Sequence, residues 1–157
     1  MDAGALQRFA DMFRDESRRW FFSGQGRSGL VAEMAAMRFM HMGRLAHFVG
    51  EATAPSIRAG DGLCLVSGSG ETPVTIHFAR IAKGEGAQIA LLTREQNSTL
   101  AKLADCILRA PIETTRQFGG SLFEQTSLIL LDAVVLELMQ AVPDPYRTML
   151  NRHTNLQ

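Results

Sequence analysis

Short apolar runs alternate with longer amphipathic segments along most of this chain, and the alternation predicts its layout. Leu6, Phe9, Met12 and Phe13 recur at helical spacing among charges, so Asp2 to Arg19 reads as an amphipathic helix. Trp20-Phe21-Phe22 is then a first strand, Ser23 to Gly29 a loop, and Leu30 to Met42 a helix closed by Gly43 in a left-handed cap. Ala46 to Val49 predicts a second strand and Gly50 to Pro55 a loop. Leu63 to Val66 is a third strand, and the helix after it opens at Pro73 with Thr72 as its N-cap. Ala87 to Leu92 reads as a strand, Ser98 to Leu103 as a short helix and Cys106 to Leu108 as a fifth strand. Glu113 to Gln117 is a polar loop, and Gly120 to Gln140 is a long helix.

Strand and helix alternate throughout, which predicts an α/β fold with a parallel sheet and helices on both faces. The expected organisation is one domain over 1–157: an N-terminal helix over 1–19, an α/β core over 20–140 and a tail over 141–157. The last helix is apolar nearly all round, from Leu122 and Phe123 to Leu138 and Met139. One sheet face covers only one side of a helix, so the remainder predicts burial against a second copy, a homo-oligomer. Met34, Met37, Met40 and Met42 read as core or interface packing.

Composition narrows the class. Of 157 residues, 46% are hydrophobic and 20% charged, which suits a globular domain with a sizeable core. Lysine plus arginine and aspartate plus glutamate number 16 each, so the basic excess of a nucleic-acid binder is missing. Cys64 and Cys106 lie in apolar runs and read as reduced thiols, which fits a cytoplasmic protein. No apolar run reaches the roughly 18 residues of a membrane span, and the polar N-terminus does not read as a signal peptide. No membrane partner is expected.

Two loops carry the candidate chemistry. Ser23-Gly24-Gln25-Gly26-Arg27-Ser28 and Ser67-Gly68-Ser69-Gly70-Glu71-Thr72 share the pattern Ser-Gly-x-Gly-x-Ser/Thr, each after a strand and before a helix. Glycines let the backbone approach a ligand, while hydroxyls and helix-start N–H groups suit an anion, above all a phosphate. In a sheet ordered 2-1-3-4-5 the two loops lie side by side at the carboxyl edge, where ligands bind. Gly24, Gly26 and Gly29 also satisfy G-x-G-x-x-G, with Glu51 at the distance of a ribose-binding acid. The chain has room for only about five strands, too few for a dinucleotide fold with a substrate domain.

A third segment, Gly119 to Gln125, opens the last helix. Ser121 and Glu124 satisfy a capping box, Ser-x-x-Glu. Glu124 also suits a general base projecting from a helix start into the cleft. His41, His47, His77 and His153 show no metal-ligand spacing, so no metal is predicted.

Taken together, these segments resemble the sugar isomerase (SIS) domain and, more narrowly, the 6-phospho-3-hexuloisomerase family. The resemblance rests on Gly26-Arg27-Ser28-Gly29 with Ala36 to Gly43, Val49-Gly50-Glu51 with Thr53 and Pro55, and Ser67 to Thr72. It extends to Gly120 to Gln125 running into Leu131 to Val134, and to the tail Arg152 to Leu156. It implies a five-stranded parallel sheet, usually a tetramer with sites at subunit interfaces, and no cofactor. It implies interconversion of 3-hexulose 6-phosphate and fructose 6-phosphate through a cis-enediol, in formaldehyde fixation through ribulose monophosphate. On matching positions, Ser67, Ser69 and Thr72 with Gly68 hold the phosphate, Gly26, Arg27 and Ser28 line the sugar site, and Glu51 belongs to the binding set. Glu124 is the implied base and His41 a candidate acid for ring opening or proton relay. The chain departs from the family's pattern in a short N-terminal helix, in Gln25, and in Phe118-Gly119 before the last helix. A non-catalytic sugar-phosphate sensor, or an isomerase of another phosphosugar, stand as the alternatives.

Overall fold

A computed structural model of the chain describes residues 3–156. In order these form α1 (Ala3–Asp11), β1 (Arg19–Gly24), α2 (Arg27–His41), β2 (Leu45–Phe48), β3 (Gly62–Val66) and α3 (Pro73–Gly84). Then follow β4 (Gln88–Thr93), α4 (Thr99–Leu103), β5 (Cys106–Arg109), α5 (Ser121–Met139) and α6 (Pro145–Leu150). The five strands form one parallel sheet in the order β2-β1-β3-β4-β5, as the sequence predicts.

The apolar runs of β3 and β4 follow from cover on both faces, since a parallel sheet buries every second residue on each side. Trp20, Phe22, Cys64, Val66, Ala90 and Leu92 point to one face and pack with α1, α2 and α5. Phe21, Leu63, Leu65, Ile89 and Leu91 point to the other and pack with Ala79 and Ala82 of α3 and Leu100 of α4. On the first face an aromatic cluster ties the N-terminal segment to the sheet. Phe13 lies 4.0 Å from Trp20 and 4.7 Å from Phe39 between ring centroids, and Phe39 lies 5.1 Å from Phe22. At the amino edge, Asp61 accepts two hydrogen bonds from Arg19, at 2.9 and 2.6 Å.

The elements differ from expectation in several places, and β1 runs on through Ser23 and Gly24, which the sequence assigns to the loop. The first helix stops at Asp11 instead of continuing to Arg19, and Asp2 lies outside the described residues. Beyond it, Asp15 Oδ1 accepts from the Ser17 N–H at 3.0 Å and from its hydroxyl at 2.6 Å, an alternative to helical pairing that short polar side chains favour. The second helix begins at Arg27, not Leu30, because Gly26 at φ 57° turns the chain early. The tail contains α6, which the apolar pattern does not announce. Its signal is Asp144-Pro145: Asp144 Oδ1 accepts from the Arg147 N–H at 3.1 Å, with proline in the first turn.

The long helix α5 buries Phe123, Leu130, Leu131, Val134, Val135 and Leu138 but leaves Ile129 and Leu136 exposed. On α2, Leu30, Met34, Met37 and Met40 are exposed as well.

Gly62 pairs with Trp20 in the sheet, and a Cβ at Gly62 would lie 2.5 Å from the indole ring. Trp20 is fully buried and has no room to give way. Gly62→Ala should therefore cost about 1–3 kcal/mol of stability, read as a lower urea midpoint from the fluorescence of the single tryptophan. An unchanged midpoint would contradict this packing.

Candidate functional site

The pairing of β1 with β3 ends at Gly24 opposite Val66, so the two Ser-Gly-x-Gly loops emerge next to each other at the carboxyl edge. The first is a tight backbone junction. A Cβ at Gly24 would sit 2.6 Å from the Ser28 carbonyl oxygen, and one at Gly29 would sit 3.0 Å from that of Gly24. These glycines are thus used to seat α2 directly on β1. With five strands in this order there is no second half of a dinucleotide-binding sheet, and the dinucleotide alternative is dropped.

The second loop is braced from inside and open outside. Ser67 Oγ accepts from the Gly70 N–H at 3.2 Å and lies 3.4 Å from Thr72 Oγ1, while Ser69 Oγ accepts from the Glu71 N–H at 3.2 Å. The start of α4 holds the far side: Leu100 N–H donates to the Gly70 carbonyl at 3.1 Å, and Thr99 N–H to Glu71 Oε1 at 2.6 Å. That bond holds the Glu71 carboxyl below the usual carboxylate range. Thr72 is the N-cap of α3 in position but makes no side-chain capping bond, which leaves its hydroxyl to a ligand. Among the described residues, the N–H groups of Ser69 and Thr72 donate to nothing. Open N–H groups, hydroxyls and a helix start converge here, an arrangement that receives an anion.

The start of α5 lies over this loop, with the Phe123 ring 3.1 Å from where a Gly68 Cβ would be. Its residues do not form the capping box their spacing suggests. Gly120 is the N-cap, and Ser121 stands one position inside the helix. Ser121 Oγ instead donates to the Phe118 carbonyl at 2.7 Å and accepts from the Arg27 guanidinium at 2.7 Å. Arg27 Nε also pairs with Glu124 Oε2 at 3.2 Å. The pair is an ion contact with poor N–H alignment, and Glu124 Oε2 is buried without a hydrogen bond. The Glu124 side chain is 14% exposed and that of Arg27 55%, so the carboxylate is held inward and the guanidinium faces the opening.

Two predicted residues are not brought here by one chain. His41 ends α2, about 20 Å from Arg27 by helical rise. It is buried, and its ring stacks on His153 of the tail at 5.3 Å. Burial pushes its pKa below the usual histidine range, and the charges of His153 and Arg38 add to this. Glu51 sits in the turn after β2, exposed, and lines an apolar groove with Leu30, Met34, Met37 and Phe48.

The sequence also leaves unmarked a cavity of about 400 Å³ on the β5 side of the loop, lined by Gly68, Ser69, Arg94, Glu95, Arg109 and Ile112. Arg109 ends β5 and Arg94 follows the last residue of β4, without any motif around them, and the β4–β5 pairing brings them together beside the loop. No cluster of potential metal ligands occurs among the described residues. No helix among them is long and apolar enough to cross a membrane.

A sheet of this order with hydroxyl loops at its carboxyl edge has close counterparts. Residues 12–138 match the SIS domain family. Two 3-hexulose-6-phosphate isomerases are each 42% identical to the chain: that of Bacillus subtilis over 94% of this chain and 86% of its own, and that of Mycobacterium gastri over 88% and 74%. A hypothetical protein of Methanococcus jannaschii, whose crystal structure was taken to infer a molecular function of 3-hexulose-6-phosphate isomerase, superposes with a TM-score of 0.90. It is 33% identical, over 98% of this chain and 86% of its own. The chain belongs to the SIS domain family. Within it, the sequence falls among relatives named 3-hexulose-6-phosphate isomerase.

The lowered pKa of His41 fixes a sign. The unfolded chain takes up this proton before the folded one does, so stability present above about pH 6.5 is lost as pH falls toward the folded value. Thermal melts should show a lower midpoint at pH 5.5 than at 7.5, and His41→Gln should narrow that difference. An equal difference in the variant would refute the assignment.

Proposed function

We propose that this protein is an isomerase of phosphosugars that interconverts 3-hexulose 6-phosphate and fructose 6-phosphate. The observation that carries the reading is Glu124: a carboxylate held inward by Arg27, with one oxygen free of hydrogen bonds, beside a loop built for phosphate. The names of the relatives at 42% identity support the choice of substrate.

In this scheme Ser67, Ser69, Thr72 and the backbone of Gly68 anchor the phosphate, which sets where C2 and C3 fall. Glu124 removes the proton from C2, next to the C3 carbonyl, and the bonding electrons move to give a 2,3-enediolate. Arg27 lies against Glu124 and supplies positive charge as the oxyanion develops, with the Ser121 hydroxyl on the same guanidinium. Proton exchange between the two oxygens and return of the proton from Glu124 to C3 leave the carbonyl at C2. The C2–H bond lost is replaced by a new C3–H bond and a hydroxyl proton moves from the C2 oxygen to the C3 oxygen, so oxidation at C2 is matched by reduction at C3 and no redox cofactor is called for.

The site is completed by further copies of the chain, in a homo-oligomer that the resemblance makes a tetramer. In support, Leu30, Met34, Met37 and Met40 form an exposed stripe bordering a groove of about 600 Å³, which Ala46, Phe48 and Glu51 also line. A single chain leaves this face open to water, at a cost that burial removes. Glu51 and His41 reach a neighbouring site only across such an interface, and His41 remains the candidate acid for ring opening there. Both cysteines are free thiols, in keeping with a cytoplasmic enzyme.

Synthase, formaldehyde and ribulose 5-phosphate should yield fructose 6-phosphate on addition of this protein. Glu124→Gln should lower kcat by about 10²–10⁴ while calorimetry still detects fructose 6-phosphate binding. Tight binding without turnover by the unaltered protein would favour the sensor reading, and turnover of a different phosphosugar would redirect the substrate. Met37→Glu should shift sedimentation toward smaller species if the α2 stripe is the subunit face.

A further inference from the structure

The phosphate loop lacks a cation of its own. A phosphate monoester carries about −1.5 to −2 charges at neutral pH, whereas Ser67 to Thr72 offers hydroxyls, N–H groups and the start of α3, worth only about +0.5. The charge that is on the loop has the wrong sign: Glu71, although its carboxylate is turned onto the Thr99 N–H. Arg27 on the other side is engaged with Glu124 and Ser121. The dianion therefore needs its counter-charge from elsewhere.

We propose that Arg94 and Arg109 supply it, as a cationic wall that completes the phosphate site on its β5 side; this rests on the phosphosugar reading above. Arg109 ends β5 opposite Thr93 of β4, and Arg94 is the next residue on, so the pairing of the two strands sets the arginines side by side. Both line one cavity with Gly68 and Ser69. The backbone at this point is fixed. Arg94 N–H donates to the Gly68 carbonyl at 3.3 Å, and Arg109 Nε to the Arg94 carbonyl at 3.4 Å. Among the described residues neither guanidinium pairs with a carboxylate. Glu95, the acid in the same cavity, has Oε1 turned onto the Asn97 N–H at 3.0 Å. Two guanidinium groups free of carboxylate partners and bordering a hydroxyl loop suit the planar, multidentate geometry in which arginine binds phosphate. The wall lies on the side of the loop away from Glu124, so it acts on the capture of the phosphate and leaves the enediol chemistry to Arg27 and Glu124. It also adds a long-range attraction for anionic substrates that salt weakens.

The test compares the full-length protein with the double variant Arg94→Gln/Arg109→Gln and with the charge-keeping Arg94→Lys/Arg109→Lys. Calorimetric titration with inorganic phosphate and with fructose 6-phosphate reads binding at low and high salt without requiring turnover. The glutamine pair should weaken both ligands by about ten- to a hundredfold and flatten the dependence of affinity on salt. The lysine pair should recover most of the salt dependence and part of the affinity. In turnover, the loss should fall on KM and not on kcat. Unchanged affinity and salt dependence in a glutamine variant that melts like the parent would overturn the proposal, as would failure of the parent protein to bind phosphate. If the parent binds phosphate through these arginines but turns over no hexulose phosphate, the isomerase reading fails while the cationic wall stands.

Discussion

The contact between β1 and β3 is the constraint on which the rest of the molecule turns. Their paired ends, Gly24 and Val66, are 42 positions apart in the chain, and the pairing is parallel. Because each strand feeds a loop and then a helix, pairing them in register brings two glycine-hydroxyl loops and two helix starts to one point. The pairing also decides the packing beneath. Trp20 lies against Gly62, where only a missing side chain makes room, and Phe13 and Phe39 build the aromatic core on that base. Loss of this register would misplace the core and the site together.

The two sides of the site are built differently. The anion loop is cross-braced by its own hydroxyls and by the start of α4, so its open N–H groups are held in place before any ligand arrives. The other side depends on a contact between residues nearly a hundred positions apart, Arg27 and Glu124, with Ser121 bonded to the same guanidinium.

Much of this was legible in the chain. Alternating apolar runs and helical segments foretold all five strands, their order and the helices on both faces, because each local pattern agrees with the global arrangement. Repetition of Ser-Gly-x-Gly marked the loops, since the chemistry needs those residue types close in sequence. Features that depend on distant partners were not legible. Ser121 and Glu124 look like a capping box until Arg27 is seen to engage both of them. Arg94 and Arg109 are ordinary strand-end residues until β4 and β5 pair. The helix over Pro145–Leu150 was missed because its signal lies in Asp144-Pro145 and not in an apolar period. His41 and Glu51 were named from the resemblance, and a single chain leaves both apart from the loop.

The stretch between β5 and α5 has a consequence for how such a protein changes over time. Residues 110–120 carry no helix or strand, and they lead from β5 to the start of α5, where Glu124 stands. The hydroxyl loop is braced by the sheet and by the start of α4. On the proposed reading, a longer or shorter connection would move Glu124 relative to a loop that the sheet and α4 hold in place. A lineage could thus acquire a new substrate by editing a hinge of a few residues, with no need to reinvent the grip.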